Sequence, residues 1–466
     1  MMRRVFSQDQ LDTLCARVRK ILAEIGYRVE HEGLSELLRQ KGLGQSTAGR
    51  FLFDDQIIND FAAHQTQYVA AQKSSAAAPP ERPAFGVSLG NIAPKFYDYA
   101  AGLPQLATTE HLERLCKYAH QKAEIDRIMT PLSITDEPPR IAPIASFLTM
   151  AKLTGKYGYY LEPLFPEVVK YLAELSVIFL GEGQENAFMD PCNCINPILH
   201  LKERTAGVMM ERAKYNVSSM ITSMPTAGGN APVTLDGAAI QGAAEIVGGL
   251  IISWLLNPNV NNKGYISSSV IDFRQANTTQ SSPETVLIDC GVVELMEHGF
   301  GGNTGIGGKS YVAAKRPGLQ AVYEKMFKAM AYQKYSGILE YSGGGVLDNG
   351  SLLSPEQFIL DMEIQQSLHY LHPIETTDEQ AVDAIAQVIE AGDGDFLSTD
   401  HTLAHFRNMW DPILFLRKDG RSEKEILDQA HARYQEAIGS YAGYEYDQTK
   451  IKAGEKVLAR ARKEFV

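Results

Sequence analysis

The chain has 466 residues, 44% hydrophobic and 21% charged, with 44 Lys plus Arg against 56 Asp plus Glu for a formal net charge of −12. That balance excludes duplex nucleic acid as a partner class, because displacing counterions from phosphates needs a basic footprint and no stretch supplies one. It also excludes bulk disorder. The length suits two or three ordinary domains or one α/β barrel with extensions. The longest apolar run, residues 246–256, is broken by glycines and falls short of the ~20 residues a membrane helix needs, so no bilayer span is expected. Cys15, Cys116, Cys192, Cys194 and Cys290 are odd in number and sparse, which does not describe a disulfide framework. The start carries no apolar signal core, and a cytoplasmic protein is expected.

In chain order, Ser7 and Gln10 form a capping box, and Leu11, Leu14, Val18, Ile21, Leu22 and Ile25 recur at helical spacing before Gly26. Shorter helical patterns follow at residues 34–39 and 55–72. Residues 74–83, rich in Ser, Ala and Pro, read as a linker, which divides the chain into a mainly helical extension (1–83) and a catalytic unit (84–466) ending in C-terminal helices. From about Leu112, short β-leaning runs at 125–131, 188–196, 216–224, 265–271 and 336–342 alternate with helical patterns at 234–256, 282–299, 317–335 and 354–370. Ser282-Pro283 and Ser354-Pro355 mark helix starts by N-cap and proline rules. Alternation of this length without a dinucleotide fingerprint predicts a closed (β/α)8 TIM barrel.

Few motifs carry chemistry alone. Gly301 to Ser310 ends in Gly-Lys-Ser, but a phosphate loop needs glycine where Asn303 stands, so a flexible strand-end loop is the better reading. Cys192 and Cys194, with His200 nearby, have atypical spacing for zinc and lack a fourth ligand, so structural cysteines and no protein-bound metal are expected. His401 and His405 lie one helical turn apart without the adjacent Glu of a metalloprotease motif. There is no Gly-x-Ser-x-Gly elbow. Aromatic residues fall close to predicted loops: Tyr97, Tyr99, Tyr157, Tyr159, Tyr160, Tyr265, Tyr311 and Tyr341. Such rings can box a quaternary ammonium group, which offers no hydrogen-bond donor and is held through ring faces.

Several stretches together resemble the trimethylamine methyltransferase family. They are Ile21 to Gly26, Tyr97-Asp98 with Gly102 and Ala107 to Leu112, Asn196-Pro197, Pro225 to Ala239, Ala244-Glu245, Ser354 to Gln357 with Asp361, and His401-Thr402 with His405 to Arg407 and Pro412. The chain departs from the family pattern at Asp236 and at residues 261–263. The resemblance implies a (β/α)8 methyltransferase that takes a methyl group from a methylated amine and delivers it to the Co(I) of a corrinoid on a partner protein, with no tightly bound cofactor. With only standard residues, the chain is similar to the branch that lacks pyrrolysine and acts on quaternary amines of the betaine kind.

On that footing Glu340 and His298 are the candidate catalytic groups, Glu340 as a counter-charge. Tyr97, Tyr99 and Tyr341 are expected to contact the cation, and Asn303 and His401, with His298, to hold a substrate carboxylate. A homo-oligomer is expected. Two alternatives stay open at this point: a non-catalytic betaine-binding or interaction barrel, and a barrel lyase or hydrolase sharing only the fold.

Overall fold

Ser7 opens the first helix, Gln8–Lys20, through its predicted capping box: the Ser7 hydroxyl accepts from the Gln10 amide, and the Gln10 side chain accepts from the Ser7 amide. The computed structural model describes residues 3–75, 86–90, 92–158, 160–337, 339, 341, 343–371, 380–392, 394–417 and 420–465. The first helix continues as a π-turn over Ile21–Ile25 and ends at Gly26. Helices Glu32–Gln40 and Asp55–Ser75 follow. Residues 76–83 of the expected linker lie outside the described residues.

The apolar seam of this N-terminal segment is not a surface feature. Leu11, Leu14, Val18, Leu22, Tyr27, Phe51 and Phe53 share one core with Ala243, Ile246, Val247 and Leu250 of helix Leu235–Leu256 and with Val292 and Leu295 of helix Pro283–Gly299. Helix Leu235–Leu256 is longer than the apolar run read from the sequence, and by length and composition alone it could cross a bilayer. Its most apolar window is 83% buried inside the protein, where it acts as a core helix. A second large core joins Leu89, Ile128, Phe147, Leu172, Phe358 and Tyr434.

The architecture is mixed α/β. A four-stranded parallel sheet runs in the order Thr304–Ile306, Lys263–Ile266, Met220–Ser223, Cys192–Cys194. A separate parallel pair joins Val87–Leu89 to Ile125–Ile128, and single parallel bridges join Ala93 to Leu132 and Leu161 to Met189. These pairings do not close the predicted eight-stranded ring among the described residues. The strands are only three or four residues long, and the chain between them is glycine-rich, with φ of +56° at Gly308 and +65° at Gly344, so it leaves the extended conformation where a ladder would continue. The run expected as a last strand, 336–342, begins inside helix Leu319–Ser336, and residues 338, 340 and 342 lie outside the described residues.

Two further sheets were not visible as alternation. Hairpin Lys95–Asp98 with Leu103–Leu106 pairs with Leu352–Leu353, which pairs in turn with Val346–Leu347, and hairpin Ser269–Asp272 with Asn277–Thr279 pairs with Thr226–Ala227. The strand expected over 265–271 is therefore two strands, parted at Ser267-Ser268.

Candidate functional site

Side chains alternate across a strand, so register decides which residues share a face. In the parallel sheet Cys192 pairs with Met220 and Met220 with Lys263; two residues on, Cys194 pairs with Thr222, Thr222 with Tyr265, and Tyr265 with Gly305. These seven residues form two rows on one face, and all seven line cavities. One cavity, of about 610 Å³, is walled by Gly86, Gly90, Gly305, Gly308, Gly343 and Gly344, with Tyr265, Tyr341, Lys263 and Lys309. The other, of about 270 Å³, holds Cys192, Cys194, Met220, Met224, Tyr160 and Tyr311. They share Met129, Tyr265 and Gly308. Met129, Met224, Ser267, Gly307 and Gly90 each follow the last residue of a parallel strand or stand one beyond it, so both cavities open at the carboxyl ends of the strands, where α/β folds place ligands.

The loops at this mouth are braced from behind by one helix. On the buried side of Leu319–Ser336, Lys328 Nζ donates to the carbonyls of Gly308 (2.7 Å) and Tyr311 (2.9 Å), while Glu324 accepts from the Ala313 amide at 2.7 Å. Lys325 Nζ lies 2.5 Å from Asp361 Oδ2, and both side chains are almost fully buried. Asp361 also accepts from the Tyr341 hydroxyl (2.7 Å), the Gln357 side chain (2.8 Å) and the Gly345 amide (3.0 Å). Tyr332 donates to Asp289 Oδ2, whose other oxygen accepts from the Ser268 amide. Three mouth loops are thus tied to one element by hydrogen bonds that burial makes costly to lose.

Burial sets the electrostatics here. It pushes the Tyr341 phenol well above its ordinary range, helped by the adjacent Asp361, so this ring stays neutral. It pushes Lys328 down to about 8 and Asp289 up to about 6. Asp190 and Glu162, near the smaller cavity, are also raised by burial. Lys263 Nζ stands 5.0 Å from the ring centre of Tyr265, so one face of that ring already carries a cation.

Of the residues expected at the site, Tyr341 lines the large cavity. Glu340 lies outside the described residues. Tyr97 and Tyr99 line a separate cavity of about 220 Å³ with Glu356, His111 and His431, where Tyr99 stacks on His431 at 4.8 Å and donates to Asp428. His298 does not reach the described cavities: it ends helix Pro283–Gly299 and bonds Asp12 (2.7 Å) and Gln8 (3.2 Å) of the first helix. Asn303 precedes its strand, at the opposite end from the mouth, and donates to Gln65, Asn261 and the Asn262 carbonyl. His401 sits in the short helix Asp400–His405 with its ring 4.7 Å from that of His405. Tyr157 packs in the core against Phe147, Tyr160, Tyr265 and Tyr311 line the cavities, and Tyr159 lies outside the described residues.

Sequence reasoning passed over Lys263, Lys325, Lys328 and Asp289 as site-supporting groups. The first was noted only as a departure from a family pattern, and the others sit in helical stretches where a charge reads as a solvated face. The Gly-Lys-Ser tripeptide does not cap a helix, since the next one begins at Leu319. Among the described residues no group of three or more His, Cys, Asp and Glu could hold a metal ion.

The trimethylamine methyltransferase (MTTB) family matches the chain over residues 2–465. A glycine betaine methyltransferase from Desulfitobacterium hafniense (strain Y51) is 26% identical over 468 residues, covering 94% of this chain and 92% of that one. The trimethylamine methyltransferase MttB1 of Methanosarcina acetivorans is 25% identical over 366 residues, covering 76% and 72%. The crystal structure of the Methanosarcina barkeri monomethylamine methyltransferase (MtmB) aligns over 99% of this chain and 88% of that one, with a TM-score of 0.45 and 11% identity.

Proposed function

The chain belongs to the trimethylamine methyltransferase family, and from that premise we propose that it transfers a methyl group from a small quaternary amine of the betaine kind to the Co(I) of a corrinoid carried by a partner protein. The observation that carries the substrate class is the charge of the large cavity. Two lysines, Lys263 and Lys309, line it beside the rings of Tyr265 and Tyr341. A bare cation is repelled by two ammonium groups, whereas a zwitterion offers a carboxylate to them and a quaternary nitrogen to a ring face.

The residues divide the work. Tyr341, fixed by its hydrogen bond to Asp361, presents a rigid ring edge and face to the cation. Lys263, already over the Tyr265 ring, is placed to take the carboxylate. A quaternary nitrogen needs no proton to become a leaving group, so no general acid is required: the C–N electron pair returns to nitrogen as the methyl leaves. A reduced corrinoid on the partner would supply the two-electron nucleophile that accepts the methyl group. The glycine rim at Gly90, Gly308 and Gly344 lets a bulky acceptor approach the mouth closely, and a cavity of about 610 Å³ suits the amine as its occupant and the acceptor as a visitor. We place the reaction in the cytoplasm, which fits five unpaired cysteines, and in a (β/α)8-like frame.

The test mixes purified protein, Co(I) corrinoid and a panel of quaternary amines, and follows the loss of the Co(I) absorbance. Turnover is expected with a carboxylated quaternary amine and not with tetramethylammonium. No change with any member of the panel would sink the reading.

A further inference from the structure

The smaller cavity has a wall of sulfur. Cys192, Cys194, Met220, Met129 and Met224 all line it, contributed by two neighbouring strands and the chain beyond two strand ends. Cys192 and Cys194, at i and i+2 on one strand, face the same way, and their Sγ atoms stand 3.9 Å apart. Met220 is the register partner of Cys192 on the next strand. The pair is unbridged, and Cys194 is exposed to the cavity's solvent.

We propose that the thiols of Cys192 and Cys194, with the thioether of Met220 beside them, form a binding site for one monovalent soft cation of the Cu(I) type. The geometry suits it. Two sulfurs 3.9 Å apart, each at ~2.3 Å from a shared ion, subtend about 116° there, between the tetrahedral and trigonal angles. Thiolate and thioether ligands select soft ions of this kind. Zinc would instead demand a third or fourth His, Cys, Asp or Glu ligand, and no such group exists among the described residues. His200, the third ligand that spacing suggested, is engaged with Glu30 at 2.9 Å.

Binding releases both thiol protons to solvent and forms two sulfur–metal bonds, with no change of oxidation state.

The experiment titrates the reduced full-length protein with Cu(I) under anaerobic conditions against a chromophoric Cu(I) chelator. One Cu(I) per chain is expected, weakened at least tenfold in Cys192→Ser and in Cys194→Ser and unchanged in Cys116→Ser, whose thiol is buried elsewhere. Met220→Leu should weaken it severalfold, and Zn(II) should not displace Cu(I). A second reading needs no variant: in the native protein, alkylation of Cys192 and Cys194, located by mass spectrometry, should be blocked by one equivalent of Cu(I) or Ag(I). Binding that survives loss of both thiols, or alkylation indifferent to the metal, would overturn the site.

Discussion

Tyr341 shows how one side chain serves two networks. Its ring lines the large cavity, and its hydroxyl is one of four donors that saturate Asp361. Tyr341→Phe keeps the ring and removes one of the two donors to the charged Asp361 Oδ1, so the expected outcome is a KM for the quaternary amine within threefold of native and a stability loss of about 1–3 kcal/mol by chemical denaturation. Tyr341→Ala removes the cation contact as well, and KM should rise about tenfold. Lys263→Met should raise KM for a carboxylated quaternary amine about 10–100-fold, the range for a hydrogen bond to a charged group, and leave an uncharged analogue unaffected. Asp289 gives a pH signature. Its carboxyl titrates near 6 when folded against an ordinary 3.8, so between those values the folded chain keeps a proton that the unfolded chain has lost. Stability from this group is therefore greatest below pH ~4 and falls as pH rises to ~6, by at most ~1.4 kcal/mol per unit. Asp289→Asn should abolish that slope in denaturation curves taken across the window.

Among the elements, helix Leu319–Ser336 is the one whose sequence understates its role. Its apolar periodicity predicts the helix to within two residues, yet its buried face carries Glu324, Lys325, Lys328 and Tyr332 rather than an apolar stripe. Periodicity counts apolar residues, and a charge that pairs across the fold is indistinguishable in sequence from one in water. The same limit hid the helix's tie to the glycine loops. A Cβ at Gly343 would stand 2.3 Å from Asp361 Cβ, whereas one at Gly44 would meet nothing within 4 Å. Gly343→Ala should therefore lower Tm by several degrees and reduce kcat/KM, and Gly44→Ala should leave both within error. Hairpin Lys95–Asp98/Leu103–Leu106 is a comparable case. It carries Tyr97 and Tyr99 away from the strand ends, so two rings that a linear reading groups with Tyr341 belong to a different cavity.

At the scale of the whole molecule, the N-terminal segment is part of the core it covers. Leu11, Val18, Leu22, Tyr27, Phe51 and Phe53 are all fully buried against helices of the α/β unit. A chain starting at residue 76 should be insoluble or lack a cooperative thermal transition in calorimetry, because it exposes that apolar surface. A soluble, cooperatively melting truncation would refute this. The sequence alone determined what local chemistry can determine: helix starts at Ser7, Ser282 and Ser354, where a side chain caps its own backbone, the strand–helix alternation, the acidic balance and the family likeness. Only the tertiary structure decided which residues meet. Strand register put Cys192, Met220 and Lys263 in one row, and among the described residues glycine loops of positive φ part the short strands that alternation predicted as one ring. Burial then turned helix charges into the bracing of a cavity mouth. Contacts across hundreds of residues depend on register and burial, and no local spacing encodes either.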